Sequence, residues 1–315
     1  MFRMLHKAGC AVFTVLVVHA HAFGVEEIRQ AESEVGGLVE AFLNAPVNVE
    51  YEVARKTYYN PTDSSVEIVS TDGDTVEFEY RAPGAAMIIS REDGSAQYPV
   101  LKGKIITNED GTELLETGTL MHFRVLQLNE NYIAERVAAG AGGVRDRLIK
   151  RGQDYRYISS AESTGQVILD QRGRAALMMA GGAPPFLPAA HARTIQQAYT
   201  RLPASGDQGE FSLRQDDDGT HFLEEKEAGE PVHRWEVLDG GILMRRQAGG
   251  PSMAVFHKYD GLQMFMGLPF PEQVEQRQRD RSETMTRTII RNISISEADQ
   301  AEIEAEIGTY FDADD

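Results

Sequence analysis

A chain of 315 residues with 42% apolar and 25% charged residues has the composition of a globular protein with one large or two small domains. This composition excludes a fibrous or disordered chain. Its 31 basic and 49 acidic residues leave a net charge of −18 at pH 7, and repulsion at that charge disfavours nucleic acid and anionic membrane surfaces as partners.

Residues 1–22 predict an export signal peptide. Arg3 and Lys7 form a short positive segment, and residues 20–22 have the small-x-small pattern that a signal peptidase reads. The apolar run at 8–18 has 11 residues, whereas a membrane-spanning helix needs about 20. We therefore expect cleavage after Ala22 and a periplasmic or extracellular product without an integral membrane segment. The single cysteine, Cys10, leaves with the signal peptide, so residues 23–315 have no thiol for disulfides or thiolate metal sites.

Residues 23–315 predict a helix followed by antiparallel strands in one domain. Apolar residues from Val25 to Phe42 recur at helical spacing, and from Val47 onward they alternate with polar residues as in half-buried strands. Repeated Asp-Gly pairs between the apolar runs favour tight hairpins. Between 131 and 150 the alternation fails, and the spacing of Ile133, Val137 and Leu148 predicts a helix.

The end of the chain predicts a helix that docks on the sheet. Ser296 and Asp299 have the spacing of a helix-start signal, and Ile303 and Ile307 share one face of the helix that follows. We interpret 23–315 as a single β-rich domain with an insertion around 131–203.

No motif in the sequence predicts catalysis, a cofactor or a metal. The histidines at 122, 191, 221, 233 and 257 lack the three- or four-residue spacing of helical zinc ligands. Ser252 lies in a segment that resembles a nucleophile elbow, but its flanks are typical of strands rather than of a strand and a helix. We expect no enzyme, and a hydrolase built on Ser252 or the later histidines remains a weaker alternative.

Methionines suggest a ligand site. Thioether side chains adapt to irregular apolar shapes. Two of the methionines directly precede the apolar loop at 181–188 in the sequence. The predicted ligand-binding residues are Met178, Met179, Phe186, Met264 and Met266. The ordinary alternative is that these side chains fill the core.

Arginines suggest a partner site. Arg277, Arg279 and Arg281 alternate along a predicted strand and so share one face, which could anchor an acidic protein partner or a lipid headgroup. The ordinary alternative is a solvated face in which nearby acids, among them Glu275, neutralise the arginines.

Three segments carry a family resemblance. The chain reads WEVLDGGIL from Trp235, YDGL from Tyr259 and GLPFPEQV from Gly267. This order of an aromatic residue, a glycine turn, Gly-x-Pro and a polar strand resembles the LolA/LolB-like lipoprotein-carrier superfamily of bacterial envelopes, over about 232–295. The resemblance implies a mainly β, α+β fold: a strongly curved, incomplete antiparallel barrel capped by the N-terminal helix and further helices, with a cavity that accepts acyl chains. The chain exceeds the dedicated carriers in length around 131–203.

These observations lead to two functional hypotheses. The first is an exported, non-enzymatic protein that holds a lipid or another apolar ligand in a half-barrel cavity. The second is an interaction or structural protein of the cell envelope with a filled core, which binds a partner through the basic strand. A cavity lined by methionine and aromatic residues favours the first, and a solid core favours the second.

Overall fold

The computed structural model describes residues 25–81, 88–89, 96–98, 100–107, 111–138, 145–159, 166–168, 184–200, 202, 211–227, 230–250, 255–279 and 285–311. The predicted signal peptide, Met178, Met179, Ser252 and Arg281 lie outside these residues. In the described part of the chain, no helix is long and apolar enough to cross a membrane.

Three helices and twenty strands occur in the described residues. The helices are α1 (Val25–Asn44), α2 (Pro188–Thr200) and α3 (Gln300–Phe311), and a single 3-10 turn spans Asp239–Gly241. The strands are β1 (Val47–Tyr59), β2 (Val66–Asp72), β3 (Thr75–Tyr80), β4 (Ile88–Ile89), β5 (Ala96–Gln97), β6 (Val100–Thr107), β7 (Glu113–Leu128), β8 (Asn131–Ala138), β9 (Arg145–Arg151), β10 (Asp154–Ser159), β11 (Gln166–Ile168), β12 (Phe211–Gln215), β13 (His221–Glu227), β14 (Glu230–Val237), β15 (Leu243–Ala248), β16 (Val255–Asp260), β17 (Gln263–Phe265), β18 (Leu268–Phe270), β19 (Gln273–Arg279) and β20 (Met285–Glu297).

One curved antiparallel sheet of 16 strands organises the molecule. Its main path runs β11-β10-β9-β8-β7-β1-β20-β19-β16-β15-β14-β13-β12, and the long strand β7 also pairs with β6, from which β3 and β2 continue. Strands β11 and β12 are the two ends of the path, and the sheet is not closed into a barrel. The fold class predicted from the sequence is therefore confirmed.

The two faces of the sheet have different covers. We call the face that carries Val47, Val49, Tyr51 and Val53 the inner face, because these side chains are buried in the main apolar cluster together with residues of α1 and α2. On the opposite, outer face, α3 packs through Ile303 and Ile307 against apolar residues of β7, β8 and β9. The predicted docking of the C-terminal helix is confirmed.

The helix predicted between 131 and 150 is wrong, because β8 and β9 occupy its ends as strands of the main sheet. Both faces of these strands are covered. Ala134 packs in the main inner cluster, whereas its neighbour Ile133 packs under α3, and Leu148 and Ile149 divide in the same way. A strand buried on both faces has apolar residues at consecutive positions, so its period of two disappears from the sequence.

The helix start predicted at Ser296 lies three residues further along the chain, at Asp299. Ser296 is still part of β20, whereas the carboxylate oxygen Oδ1 of Asp299 accepts a hydrogen bond of 2.8 Å from the backbone N–H of Ala301. Asp299 therefore caps the first turn of α3. A carboxylate at this position also interacts favourably with the positive end of the helix dipole.

Candidate functional site

The inner face of the sheet carries a band of apolar residues beneath the helices. In the strand register, Val53 of β1 lies opposite Met121 and Ile290, Ile290 lies opposite Val274, and Val274 lies opposite Tyr259. We call these five residues the apolar row. All five are buried in the same cluster as the apolar side chains of α1 and α2.

Two residues further along the same strands, the inner face becomes polar. The next row reads Thr119, Arg55, Thr288, Gln276 and His257, and the row after it reads Thr117, Thr57, Thr286 and Gln278 and ends at the apolar Val255, which is left out of the group defined here. We call these nine residues the polar band. Beyond the band, Tyr59 enters a second, smaller apolar cluster with Val76, Phe78 and Leu115. The polar band thus separates two apolar clusters along one face of β1.

Helix α1 packs one apolar face into the main inner cluster, to which the apolar row also belongs. Ile28, Val35, Val39 and Phe42 are each at most 1% exposed, and the rings of Phe42 and Phe270 lie 5.0 Å apart. These residues recur at helical spacing, as the sequence predicted for the opening helix. The contact between α1 and the β17–β18 hairpin is therefore an aromatic and aliphatic interface.

Helix α2 and the segment before it are tied to the sheet by hydrogen bonds. The hydroxyl of Tyr51 donates to the carbonyl of Phe186 at 3.0 Å, and burial raises the pKa of that hydroxyl, so it stays a neutral donor. At the far end of α2, the hydroxyl of Tyr199 donates to the carbonyl of Gly241 at 2.8 Å and accepts from the backbone N–H of Leu243 at 3.0 Å. Hydrogen bonds therefore fix both the segment before α2 and the C-terminal end of α2.

The ring of Phe186 fills the space above the apolar part of the sheet. It packs edge-on against Tyr51 with centroids 6.1 Å apart, and Tyr51 stacks on Phe123 at 5.4 Å. The ring of His191 lies 5.9 Å from that of Phe186 on the other side. The segment before α2 thus inserts an aromatic side chain between helix and sheet.

His191 is a buried polar group within this aromatic cover. Its side chain donates to the backbone carbonyl of Pro269, whereas Nε2 has no hydrogen-bond partner among the described residues. Burial, reinforced by the positive charge of Arg245, lowers the pKa of His191 to about 3. The imidazole is therefore neutral at pH 7, as an apolar environment requires.

A small cavity lies where α2 meets β14 and β15. It has a volume of about 50 Å³ and is lined by Thr194, Gln197, Ala198, His233, Trp235 and Arg245. The indole Nε1 of Trp235 is buried and has no hydrogen-bond partner in the described part of the chain. Nη2 of Arg245 lies 3.3 Å from Nδ1 of His233. A polar cavity of this size has room for a few water molecules.

The structure places the predicted ligand-binding residues in two different environments. Phe186 is 6% exposed and lies in the main cluster, whereas Met264 and Met266 are 52% and 38% exposed on the β17–β18 hairpin. The ring of Phe265, between the two methionines, packs edge-on against Phe42 with centroids 6.1 Å apart. The tip of this hairpin lies against α1, because a Cβ at Gly267 would be 3.1 Å from Leu38. The ligand-binding role of these residues stays a prediction.

The predicted basic strand lies on the outer face. The Nε atoms of Arg277 and Arg287 donate to Oε1 of Glu275 at 2.7 and 2.9 Å. Although partial burial raises the pKa of Glu275, the two guanidinium groups hold it below its usual range. Arg279 ends β19, and Arg281 lies outside the described residues. Binding of a partner by this strand stays a prediction.

Ser252 of the hydrolase alternative lies outside the described residues, and its histidines lie on three different strands. His233 and His257 flank Ala248 from opposite neighbouring strands, while His221 lies at the start of β13. In the described ranges, no group of three His, Cys, Asp or Glu side chains is arranged to hold a metal ion.

Sequence reasoning missed Arg55 and the polar band. Arg55 follows Val47, Val49, Tyr51 and Val53 in the same alternation, so it occupies a position that the pattern assigns to the buried face. A charged residue in the buried phase of a strand is the signal that could have found it.

No protein-family model matches the chain, and no curated protein matches it. Several solved structures are similar to it, among them the following three. A LolA superfamily protein from Nitrosomonas europaea has 10% identity and a TM-score of 0.33, over 90% of this chain and 98% of that one. A DUF1329 family protein from Desulfovibrio piger has 10% identity and a TM-score of 0.36, over 85% and 92%. A beta-barrel-like protein of the DUF1849 family from Brucella abortus has 9% identity and a TM-score of 0.24, over 81% and 98%. The superfamily that the sequence resembles is thus among the similar structures, at TM-scores too low to carry an argument about function.

Proposed function

We propose that this protein is an exported, non-enzymatic binding protein that holds a lipid or another apolar ligand between the inner face of the sheet and the helices. The observation that carries the proposal is the cover of the apolar row. Helix α2 contacts this row through His191, whose ring lies 5.8 Å from that of Tyr259, and α1 and Phe186 belong to the same apolar cluster; all three lie outside the strand ladder. These parts can separate from the sheet without breaking strand pairing.

In the structure without ligand, aromatic side chains of the helices and of the Phe186 segment occupy the space between helices and sheet that a ligand would take. Phe186 lies over Tyr51, and Phe42 of α1 lies against Phe270. An apolar ligand that replaces such contacts keeps the apolar surface out of water, which offsets the cost of opening the cover. Binding then requires the hydrogen bond from Tyr51 to the Phe186 carbonyl to break, and the same bond closes the empty protein.

The test compares Phe186→Ala with Phe78→Ala. Both remove a buried phenyl ring and should cost about 3–5 kcal/mol of stability, but Phe78 belongs to the smaller cluster around Tyr59. Binding of the uncharged dye N-phenyl-1-naphthylamine should become several-fold tighter in Phe186→Ala and stay unchanged in Phe78→Ala. If the affinity for the dye increases equally in both variants, the increase comes from lost stability, and the proposal that the ligand binds at Phe186 is wrong.

Export has its own test. N-terminal sequencing of the protein recovered from the cell envelope should begin at Phe23, since the leader pattern ends at Ala22. A protein that retains Met1 in the cytoplasm contradicts export and leaves the binding proposal to be judged by the dye experiment.

A further inference from the structure

The polar band has no acidic side chain, although the chain as a whole is acidic. The whole sequence has 49 acidic and 31 basic residues, yet the nine positions of the band are threonine, glutamine, histidine and one arginine, with no acid. Hydroxyl, amide and guanidinium groups all donate hydrogen bonds. The band therefore has hydrogen-bond donors and no acid in an otherwise acidic protein, and one of its members, Thr288, is buried.

Arg55 differs from the arginines on the other face. Arg277 pairs with Glu275, and Nε of Arg291 donates to Glu52 at 2.9 Å. Arg55 is half-buried, and the described residues supply no salt bridge to it. Burial lowers the pKa of its guanidinium, which the phenol of Tyr59 only partly offsets.

The immediate neighbours of Arg55 on the inner face leave its charge uncompensated. Directly opposite it lie Thr119 on β7 and Thr288 on β20, and Thr57 follows it on the same face. The hydroxyls of Thr57 and Thr286 lie 3.3 Å apart. A partly buried charge without a counter-charge is costly, so this position is set up to receive a negative group.

The position of Arg55 relative to the apolar row defines the shape of that ligand. Arg55 follows Val53 by two residues on one face, a step of about 6.8 Å along a strand. We infer, on the basis of the proposed function, that the ligand is an amphiphile whose hydrocarbon lies along the apolar row and whose anionic oxygen headgroup is bound by Arg55. A carboxylate and a phosphate share the chemistry that a guanidinium recognises.

The experiment measures the affinities of oleate, oleyl phosphate and oleyl alcohol, three probes with one chain and different headgroups. The purified protein should bind at least one of the two anions about tenfold or more tightly than the alcohol, as expected for a charge-assisted hydrogen bond. Arg55→Gln should remove this preference and leave the affinity for the alcohol unchanged, whereas Arg55→Lys should keep part of it. The anion with the larger gain identifies the headgroup as carboxylate or phosphate.

Lys56→Gln is the matched control, because Lys56 neighbours Arg55 on β1 but points to the outer face, where its Nζ pairs with Glu116 at 2.9 Å. This variant should keep the preference for the anion. Equal affinity for all three probes, or an equal loss of all three in Arg55→Gln, overturns the headgroup inference while leaving apolar binding in place. Inorganic phosphate that displaces bound oleate as strongly as oleyl phosphate does also overturns the inference, since the site would then bind a free anion. If none of the probes binds, the proposed function fails together with the inference.

Discussion

The apolar row and the polar band lie side by side on the same five strands, yet they form different environments. Val53 and Arg55 are both on the inner face of β1, and their partners on β20 are Ile290 and Thr288. Strand pairing is continuous through both rows, so backbone hydrogen bonds do not distinguish them. The row that lies in the main cluster with α1 and α2 is apolar, and the next two rows are polar except for Val255 at the end of the second.

This difference separates what stabilises the fold from what is available to bind. Each fully buried aliphatic side chain of the apolar row contributes about 1.5–3 kcal/mol relative to an exposed one, whereas the donors of the polar band contribute little unless they find partners. We therefore expect substitutions in the apolar row to change the free energy of unfolding and substitutions in the polar band to change ligand preference.

The largest effect should come from placing the same carboxylate in each region. Val53→Asp buries a charge among apolar side chains at a position that is 1% exposed and should cost about 4 kcal/mol or more. Thr57→Asp places the charge beside Arg55, where attraction offsets desolvation, and should change stability by about 1 kcal/mol or less. Urea unfolding followed through the fluorescence of the single tryptophan, Trp235, measures both. Equal losses would show that the band is as apolar an environment as the row.

An effect of intermediate size should appear as a pH dependence of stability. His191 has a pKa of about 3 in the folded protein, below its value of 6.5 when exposed. As the pH falls below 6.5, His191 binds a proton in the unfolded chain but not in the folded protein. The free energy of unfolding therefore decreases by about 1.4 kcal/mol per pH unit between pH 6.5 and about pH 3. His191→Phe should unfold with a shallower dependence between pH 6.5 and 5. The control is His122→Asn, an exposed outer-face site, and an unchanged slope in His191→Phe contradicts the burial of a neutral imidazole in the cover.

The smallest effect concerns the hairpin outside both regions. Met266 has a φ of +50° and Gly267 a φ of +78°, the backbone of a type I′ turn closed by Phe265 and Leu268. Methionine is strained there, whereas asparagine tolerates positive φ, so Met266→Asn should raise stability by about 0.5–1 kcal/mol. Met264→Asn, on the same exposed side, should not.

The same two variants test whether the hairpin belongs to the ligand site. Binding of oleate should weaken in both if Met264 and Met266 contact the ligand, as the sequence predicted. Unchanged affinity in both would exclude the hairpin and confine binding to the apolar row and the polar band.

The elements with one covered face were predictable from local pattern. The buried face of α1 and the alternation in the first half of β1 are visible in the sequence, because each has a covered side and an exposed side. Strand β8 was not predictable, since Tyr132 and Ala134 meet the inner cluster while Ile133 meets α3. The cover on its outer face comes from α3, more than 150 positions away, and no local pattern encodes it.

The sequence by itself determined the leader pattern, the excess of acid, the antiparallel strands and the apolar helix faces, because each depends on composition or on neighbours within a few residues. Only the tertiary structure decided which strands became neighbours and therefore that Arg55, Thr288 and Gln276 form one row. Arg55 is more than 200 positions away from Thr288 and Gln276 in the chain, and the environment that the three share arises from strand register. A donor surface assembled in this way has no signature in any single segment.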